Sequence, residues 1–209
     1  MTLALSVCVL AGTIRLLGTS APLMQRQFLR YAPPQMTGLP EADYPGMAQT
    51  ISAYLRGDAA ECQYALNGAA VFHDYELRHM ADCLTLFELD RRVLLVSALL
   101  LAVCVPAALL LRRGRETAMG MALSGGVQLA LVGAVGVIGA VDFDRLFILF
   151  HQLSFDNSLW LLDPSTDMLI RLMPTAFFVS YAGMLLAAWL GALILMTAAG
   201  LAVRRTHKR

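Results

Sequence analysis

The sequence predicts an all-α integral membrane protein, with four transmembrane helices and an exoplasmic cap of helices and loops. Three observations lead there. Of 209 residues 58% are hydrophobic and only 15% charged, an imbalance that few water-soluble domains carry. The hydrophobicity is segregated: residues 93–111, 117–141 and 172–203 hold no charge, and a helix needs about 20 such residues to cross roughly 30 Å of hydrocarbon. Basic residues also cluster, in the loop Arg112-Arg113-Gly114-Arg115 and in the tail Arg204-Arg205-Thr206-His207-Lys208-Arg209.

The first span is expected over about 1–23. Its uncharged run is broken by Arg15, which snorkels to an interface if it lies near a helix end and is a functional candidate if it lies deeper. No basic n-region precedes it, unlike a signal peptide. An outer segment of about 24–92 follows. Tyr31-Ala32-Pro33-Pro34 and Gly38-Leu39-Pro40 mark an irregular entry. Tyr44, Met47, Ile51, Tyr54 and Leu55 then fall at helical spacing, and Gly57 ends that short helix. Asn67-Gly68 is a turn signal. A longer helix is expected from about Ala69, joining the second span at 93–111, where Pro106 is tolerated if neighbouring helices satisfy the freed carbonyl.

The third span, 118–141, is rich in glycine, which lets helix backbones approach closely where no solvent drives association. A second outer segment, 142–174, contains Asp163-Pro164-Ser165-Thr166-Asp167. It reads as a helix start, with Asp163 capping and Pro164 in the first helical position. The last span is 175–203. The whole, 1–209, is one membrane domain.

Short basic loops stay in the cytoplasm. The loop at 112–115 and the basic tail therefore face inward, both termini are cytoplasmic in a plasma membrane, and the two long connections face outward. A net charge of +1 leaves no electrostatic footprint for nucleic acid. Of four cysteines, Cys8 and Cys104 fall in spans as small apolar fillers, while Cys62 and Cys83 are both outside and are able to pair. No CxxC, HExxH, GxSxG or phosphate-binding glycine pattern occurs.

Two histidines stand out. His79 lies three residues after Glu76 and three before Asp82, and on a helix Phe72, Glu76, His79 and Cys83 share a face. A neighbouring carboxylate fixes an imidazole's tautomer and raises its basicity, as a general base requires; the competing interpretation is an interfacial histidine satisfied by its own helix. His151 sits among Phe143, Phe147, Phe150 and Phe155, either as a site residue or as a member of an aromatic belt. Topology brings both to the outer side. Arg78, Arg145, Asn157 and Trp160 are candidate donors to a developing oxyanion. A metal reading would use His79, Cys83 and His151 with Asp156 or Glu76, and would make the chain a metal-dependent membrane lipid hydrolase. A non-enzymatic accessory protein is the third reading, and it leaves the two histidines idle. His73 points to another side of the helix, and His207 belongs to the basic tail.

At these residues the chain resembles a known family. Glu76-Leu77-Arg78-His79-Met80-Ala81-Asp82 is similar to its first signature. Phe147 to Asn157 with Trp160, Asp163-Pro164 and Pro174-Thr175-Ala176-Phe177-Phe178 are similar to its second. The family is that of small four-span membrane proteins of Gram-positive bacteria that includes the lipoprotein intramolecular transacylase. The resemblance implies an acyltransferase, with no cofactor or metal, that meets its substrate among membrane lipid. It would move the sn-2 acyl chain of a diacylglyceryl lipoprotein onto the α-amino group of that protein's N-terminal cysteine, giving the lyso form. It carries catalytic roles onto His79 and His151. His79 is taken as general base and His151 as partner in proton transfer or oxyanion stabilisation, an assignment that the sequence leaves open to exchange. Glu76 or Asp82 would orient His79, with Arg78, Asn157 and Trp160 in support.

Overall fold

A computed structural model describes residues 1–111 and 114–206. Arg112, Arg113 and His207 to Arg209, parts of the basic loop and tail that set the expected orientation, lie outside the described residues. The described chain is helical apart from connections and one two-residue-per-strand hairpin. It divides into two compact units: one made of 1–14, 90–142 and 183–209, the other of 15–89 and 143–182.

The first unit holds the apolar helices. These are most of α1 (Thr2–Gly18), the second half of α5 (Asp74–Leu110), α6 (Gly114–Val141) and most of α9 (Thr175–Thr206). The helices α5, α6 and α9 are long and apolar enough to cross a membrane, at the positions the uncharged runs predict. The first expected span is broken instead of straight. Helix α1 ends at Gly18, α2 (Ala21–Tyr31) begins three residues on with Pro22 in its first turn, and the two pass as a span only together, bent by 65°. Within this unit Leu95, Leu99, Val103, Leu123, Val127 and Leu131 stay exposed, as lipid-facing residues do. Val132, Leu193 and Met196 form a small buried core between α6 and α9. The role expected of the third span's glycines is visible at two of them: a side chain at Gly125 would run into Thr197 of α9, and one at Gly136 would begin 2.8 Å from Leu186, whereas Gly120, Gly126 and Gly133 face open space. Trp189 Nε1 donates to Ser6 Oγ at 2.9 Å, tying α9 to α1.

The second unit packs α2, α3 (Pro34–Thr37), α4 (Tyr44–Arg56), the first half of α5, α7 (Phe143–Ser154), α8 (Met168–Leu172) and the start of α9. Its core is the buried apolar face of α4, where Tyr44, Met47 and Ile51 are fully enclosed with Phe28 of α2. Each such side chain contributes about 1.5–3 kcal/mol relative to exposure. The Tyr44 hydroxyl joins Thr37 Oγ1 at 2.8 Å and the Ala32 carbonyl, so the irregular 32–44 segment is pinned to the helix that follows it. Gly57 ends α4 with φ +84°, as its position predicts, because a left-handed residue there suits glycine. Arg15 does not project into lipid: Nη2 donates to the Arg56 carbonyl at 3.3 Å, and Arg56 Nη1 donates to the Thr19 carbonyl at 2.9 Å.

Asn67 and Gly68 turn a hairpin, with φ +50° and +82°, between β1 (Ala65–Leu66) and β2 (Ala69–Ala70). Positive φ at both central residues is what a tight two-residue hairpin demands. The expected helix from Ala69 therefore starts five residues later, at Asp74, and then runs unbroken to Leu110. The Asp163-Pro164 helix start is likewise displaced. Asp163 Oδ1 accepts from the Ser165 N–H and hydroxyl, closing a turn, and the helix opens only at Met168, behind Asp167.

Candidate functional site

Every residue of the site lies in the second unit. Glu76 is the third residue of α5, and it is fully buried. Its Oε2 accepts from the His73 N–H at 2.7 Å, closing the first turn of α5 from behind. Its Oε1 accepts from the Leu169 N–H at 2.7 Å, in the first turn of α8. One carboxylate thus satisfies the exposed N–H groups of two helices distant in sequence, where positive ends of two helix dipoles favour negative charge. Asp167, which precedes α8, accepts from the Tyr75 hydroxyl, from Thr166 Oγ1 at 2.7 Å and from the Asp163 N–H at 2.7 Å. Burial would raise its carboxyl pKa, but these donors outweigh burial and hold it below the usual range.

With α5 and α8 fixed, one turn on from Glu76 stands His79. It is 7% exposed, as is His151 on α7. The two imidazoles face each other at 6.1 Å between ring centroids, tilted by 33°. Phe155 packs its edge on His79 at 5.1 Å and contacts His151 at 5.5 Å. Phe147 and Trp160 flank His151 at 4.1 Å and 5.1 Å. The aromatic cluster of 143–160 is therefore a cage for the histidine pair.

The two rings differ in hydrogen bonding. His151 Nδ1 lies 2.7 Å from the Phe147 carbonyl oxygen, one turn earlier in α7. A carbonyl can only accept, so Nδ1 carries the proton and Nε2 the lone pair. Burial lowers the His151 pKa below the ordinary histidine value, and the Phe147 carbonyl offsets part of that. His79 Nε2 is 3.7 Å from Cys83 Sγ, and its Nδ1 is buried without a hydrogen-bond partner among the described residues. Neither Glu76 nor Asp82 reaches the ring, contrary to expectation: Glu76 is committed to backbone, and Asp82 Oδ2 accepts from Asn157 Nδ2 at 2.8 Å.

That last bond belongs to a strap. The Leu159 N–H donates to Asn157 Oδ1 at 3.0 Å, and Trp160 Nε1 donates to the Asn157 carbonyl at 2.9 Å. Asp82, Asn157 and Trp160 thus hold the 156–160 turn against α5 and set the Trp160 ring on His151. Trp160 spends on this strap the one donor that an oxyanion would need, and Asn157 one of its two. Arg78 is exposed on another side of α5 and is not among the residues that line the cavity.

The pair opens on a cavity of about 190 Å³, whose walls are largely apolar and include Met80, Phe87, Leu162, Ile170 and Phe178. Cys83 and Tyr181 also line it. Sequence reasoning passed over Tyr181. The signal available was its spacing: it follows Phe177 and Phe178 by one turn on α9, so the three share a face. Cys62 and Cys83 are both free, and burial pushes the Cys62 thiol up to about 12. Among the described residues, no group of three or more histidine, cysteine, aspartate or glutamate side chains is placed to hold a metal ion.

The chain is similar to known proteins in family and in fold. The family model described as lipoprotein intramolecular transacylase Lit matches residues 1–178. The solved structure of the membrane-integral lipoprotein intramolecular transacylase Lit from Bacillus cereus is similar at a TM-score of 0.79 and 18% identity, covering 99% of this chain and 94% of that one. Structures of the same protein with one histidine replaced by alanine or by arginine are similar at 0.74 and 0.70, again at 18% identity, with 99% of this chain covered and 91% and 92% of theirs. No curated protein sequence matches. The likeness in fold, with the apolar helices, makes this chain a multi-pass integral membrane protein.

Proposed function

The chain belongs to the lipoprotein intramolecular transacylase family, and we propose that it moves the sn-2 acyl chain of a diacylglyceryl lipoprotein to the α-amino group of the same molecule's N-terminal cysteine. The observation that carries this reading is the histidine pair, 6.1 Å apart in a buried, mainly apolar cavity. Amine and ester belong to one substrate, so the protein needs no nucleophile of its own. It must bring the two groups together, move a proton and exclude water.

The α-ammonium of the substrate, with a pKa near ~8, is largely charged at neutral pH and must lose a proton before it attacks. The amine nitrogen then bonds to the ester carbonyl carbon, and the carbonyl becomes an oxyanion. The nitrogen, now positively charged, gives up a second proton. As the carbonyl re-forms, the bond to the glyceryl oxygen breaks, that oxygen takes this proton and a neutral amide remains, while the proton first lost from the ammonium leaves to water. Nothing is oxidised or reduced, and no co-reactant is consumed.

Hydrogen bonding supports one of the two divisions of labour that the sequence leaves open. His151 presents Nε2 as the lone pair, and its Nδ1–H rests on a carbonyl that stabilises the imidazolium once a proton arrives. His151 is therefore the base. His79, with Nδ1 unpartnered among the described residues, receives the substrate's polar head, takes the second proton from the nitrogen and passes it to the glyceryl oxygen. Glu76, Asp82, Asn157 and Trp160 position the pair, while Arg78 stands apart.

Positive charge in the 112–115 loop and the C-terminal tail puts those segments in the cytoplasm, and the site at the opposite, exoplasmic face. There a lipoprotein's acylated head group meets lipid and water together. The metal-dependent hydrolase reading gains nothing from the donor geometry around His79 and Cys83.

The test is expression in a host whose lipoproteins carry diacylglyceryl cysteine with a free amino terminus, followed by mass spectrometry of the N-terminal lipopeptide. The acyl chain should appear on nitrogen. His79→Ala and His151→Ala should each insert and fold yet lose about 10²–10⁴ in rate. An unmoved chain with wild-type protein sinks the reading, and full activity in either variant removes that histidine from the site.

A further inference from the structure

Of the side-chain donors around the cavity, two are already committed. His151 Nδ1–H serves the Phe147 carbonyl and Trp160 Nε1–H the Asn157 carbonyl. Tyr181 is different. It lines the same cavity as both histidines, yet its hydroxyl is buried without a hydrogen-bond partner among the described residues. The ring itself is well held, 4.6 Å from Phe177, which in turn stacks on Phe28 at 5.7 Å in the core of the unit.

A buried hydroxyl with no partner destabilises the protein that carries it. Phenylalanine would fill the same space and make the same ring contacts without that penalty. Native structures pair nearly all such groups, so an orphan here points to a partner that the described residues do not contain. The partner must enter the cavity, must accept a hydrogen bond, and must be compatible with apolar walls. An ester carbonyl attached to a hydrocarbon chain meets all three conditions.

We propose that Tyr181 is a further catalytic residue, whose hydroxyl donates a hydrogen bond to the carbonyl oxygen of the migrating acyl group. This rests on the transacylase reading and deepens it. As the amine nitrogen bonds to the carbonyl carbon, the carbonyl oxygen takes on negative charge, and the phenol's hydrogen bond strengthens with it. When the bond to the glyceryl oxygen breaks, the carbonyl re-forms and the bond weakens again. The phenol keeps its proton throughout, and the migrating protons pass through the histidines. A donor already in place, in a site with little water, acts where it counts because nothing has to reorganise as charge develops.

Tyr181→Phe is the test, made in the full chain, purified and supplied with a synthetic diacylglyceryl lipopeptide bearing a free N-terminal cysteine amine. Expected are a fall in kcat of about 10²–10³, a KM within a few-fold of wild type, and an unchanged or raised melting temperature. Unchanged kcat would overturn the proposal, as would a loss confined to KM, since that marks ground-state binding alone. A lowered melting temperature would also overturn it, by revealing a structural partner for the hydroxyl. Wild-type protein that moves no acyl chain would overturn the transacylase reading itself, and is told apart by the control reaction.

Discussion

At the scale of residues, burial and one hydrogen bond set the state of the His151 imidazole, the base in the proposed reaction. Its surroundings are phenyl and indole rings, which solvate an imidazolium poorly, so its pKa falls below the ordinary value. The Phe147 carbonyl works the other way and fixes which nitrogen is free. The pH dependence has a definite sign. A histidine lowered in the folded state is neutral there while the unfolded chain takes up protons near ~6.5, so stability holds above that value and is lost as pH falls from it toward the folded pKa. Thermal melting in detergent between pH 7.5 and 5 should therefore show a declining midpoint toward acid, and His151→Phe should flatten part of that decline. The acid limb of the transfer rate should likewise lie below the pH at which a solvated histidine titrates. An acid limb above the ordinary histidine value would contradict the burial argument.

At the scale of elements, the site depends on two helix starts held by one carboxylate. Glu76 joins the first turn of α5 to that of α8 through the His73 and Leu169 N–H groups, and the Asp82–Asn157 bond joins α5 to the turn carrying Trp160. Removing a partner from a buried donor costs more than the bond's net worth, because the donor stays out of water. Glu76→Ala should lower stability by about 2–4 kcal/mol for its two orphaned N–H groups, read as a drop in the detergent melting midpoint. Glu76→Gln should cost less, since an amide can accept one of the two bonds. An Ala variant as stable as wild type would show that water or a shifted backbone replaces the carboxylate. The sequence places Glu76 one turn from His79 and so suggests an orienting role. What spacing cannot register is competition: a carboxylate at the third position of a helix is drawn to unpaired backbone donors, and those of α8 arrive from nearly a hundred residues away.

At the scale of the whole molecule, charge orients the chain while apolar length threads it. If the 112–115 loop and the tail stay inside, a reporter that matures only in the cytosol, fused after Arg209, should be active. One that works only outside should be silent. The reverse pattern would put the histidine segments on the cytoplasmic side, where diacylglyceryl lipoproteins do not display their modified amino termini, and would be incompatible with the proposed substrate.

The long helices were legible in sequence because their cause is local. An uncharged run of sufficient length has one stable state in hydrocarbon, and α5, α6 and α9 appear where those runs lie. The short helix ended by Gly57 and the turn at Asn67-Gly68 were legible for a similar reason, since left-handed backbone is written into glycine and asparagine. Both histidines were legible as candidates from local pattern and family resemblance, and the fold brings their rings to 6.1 Å. Three things were decided only by tertiary structure. These are the bend after Gly18, the commitment of Glu76 and Asn157 to helix starts and a strap, and the unpaired hydroxyl of Tyr181. Each turns on which distant group reaches a donor or acceptor first, and a linear pattern carries no record of that contest.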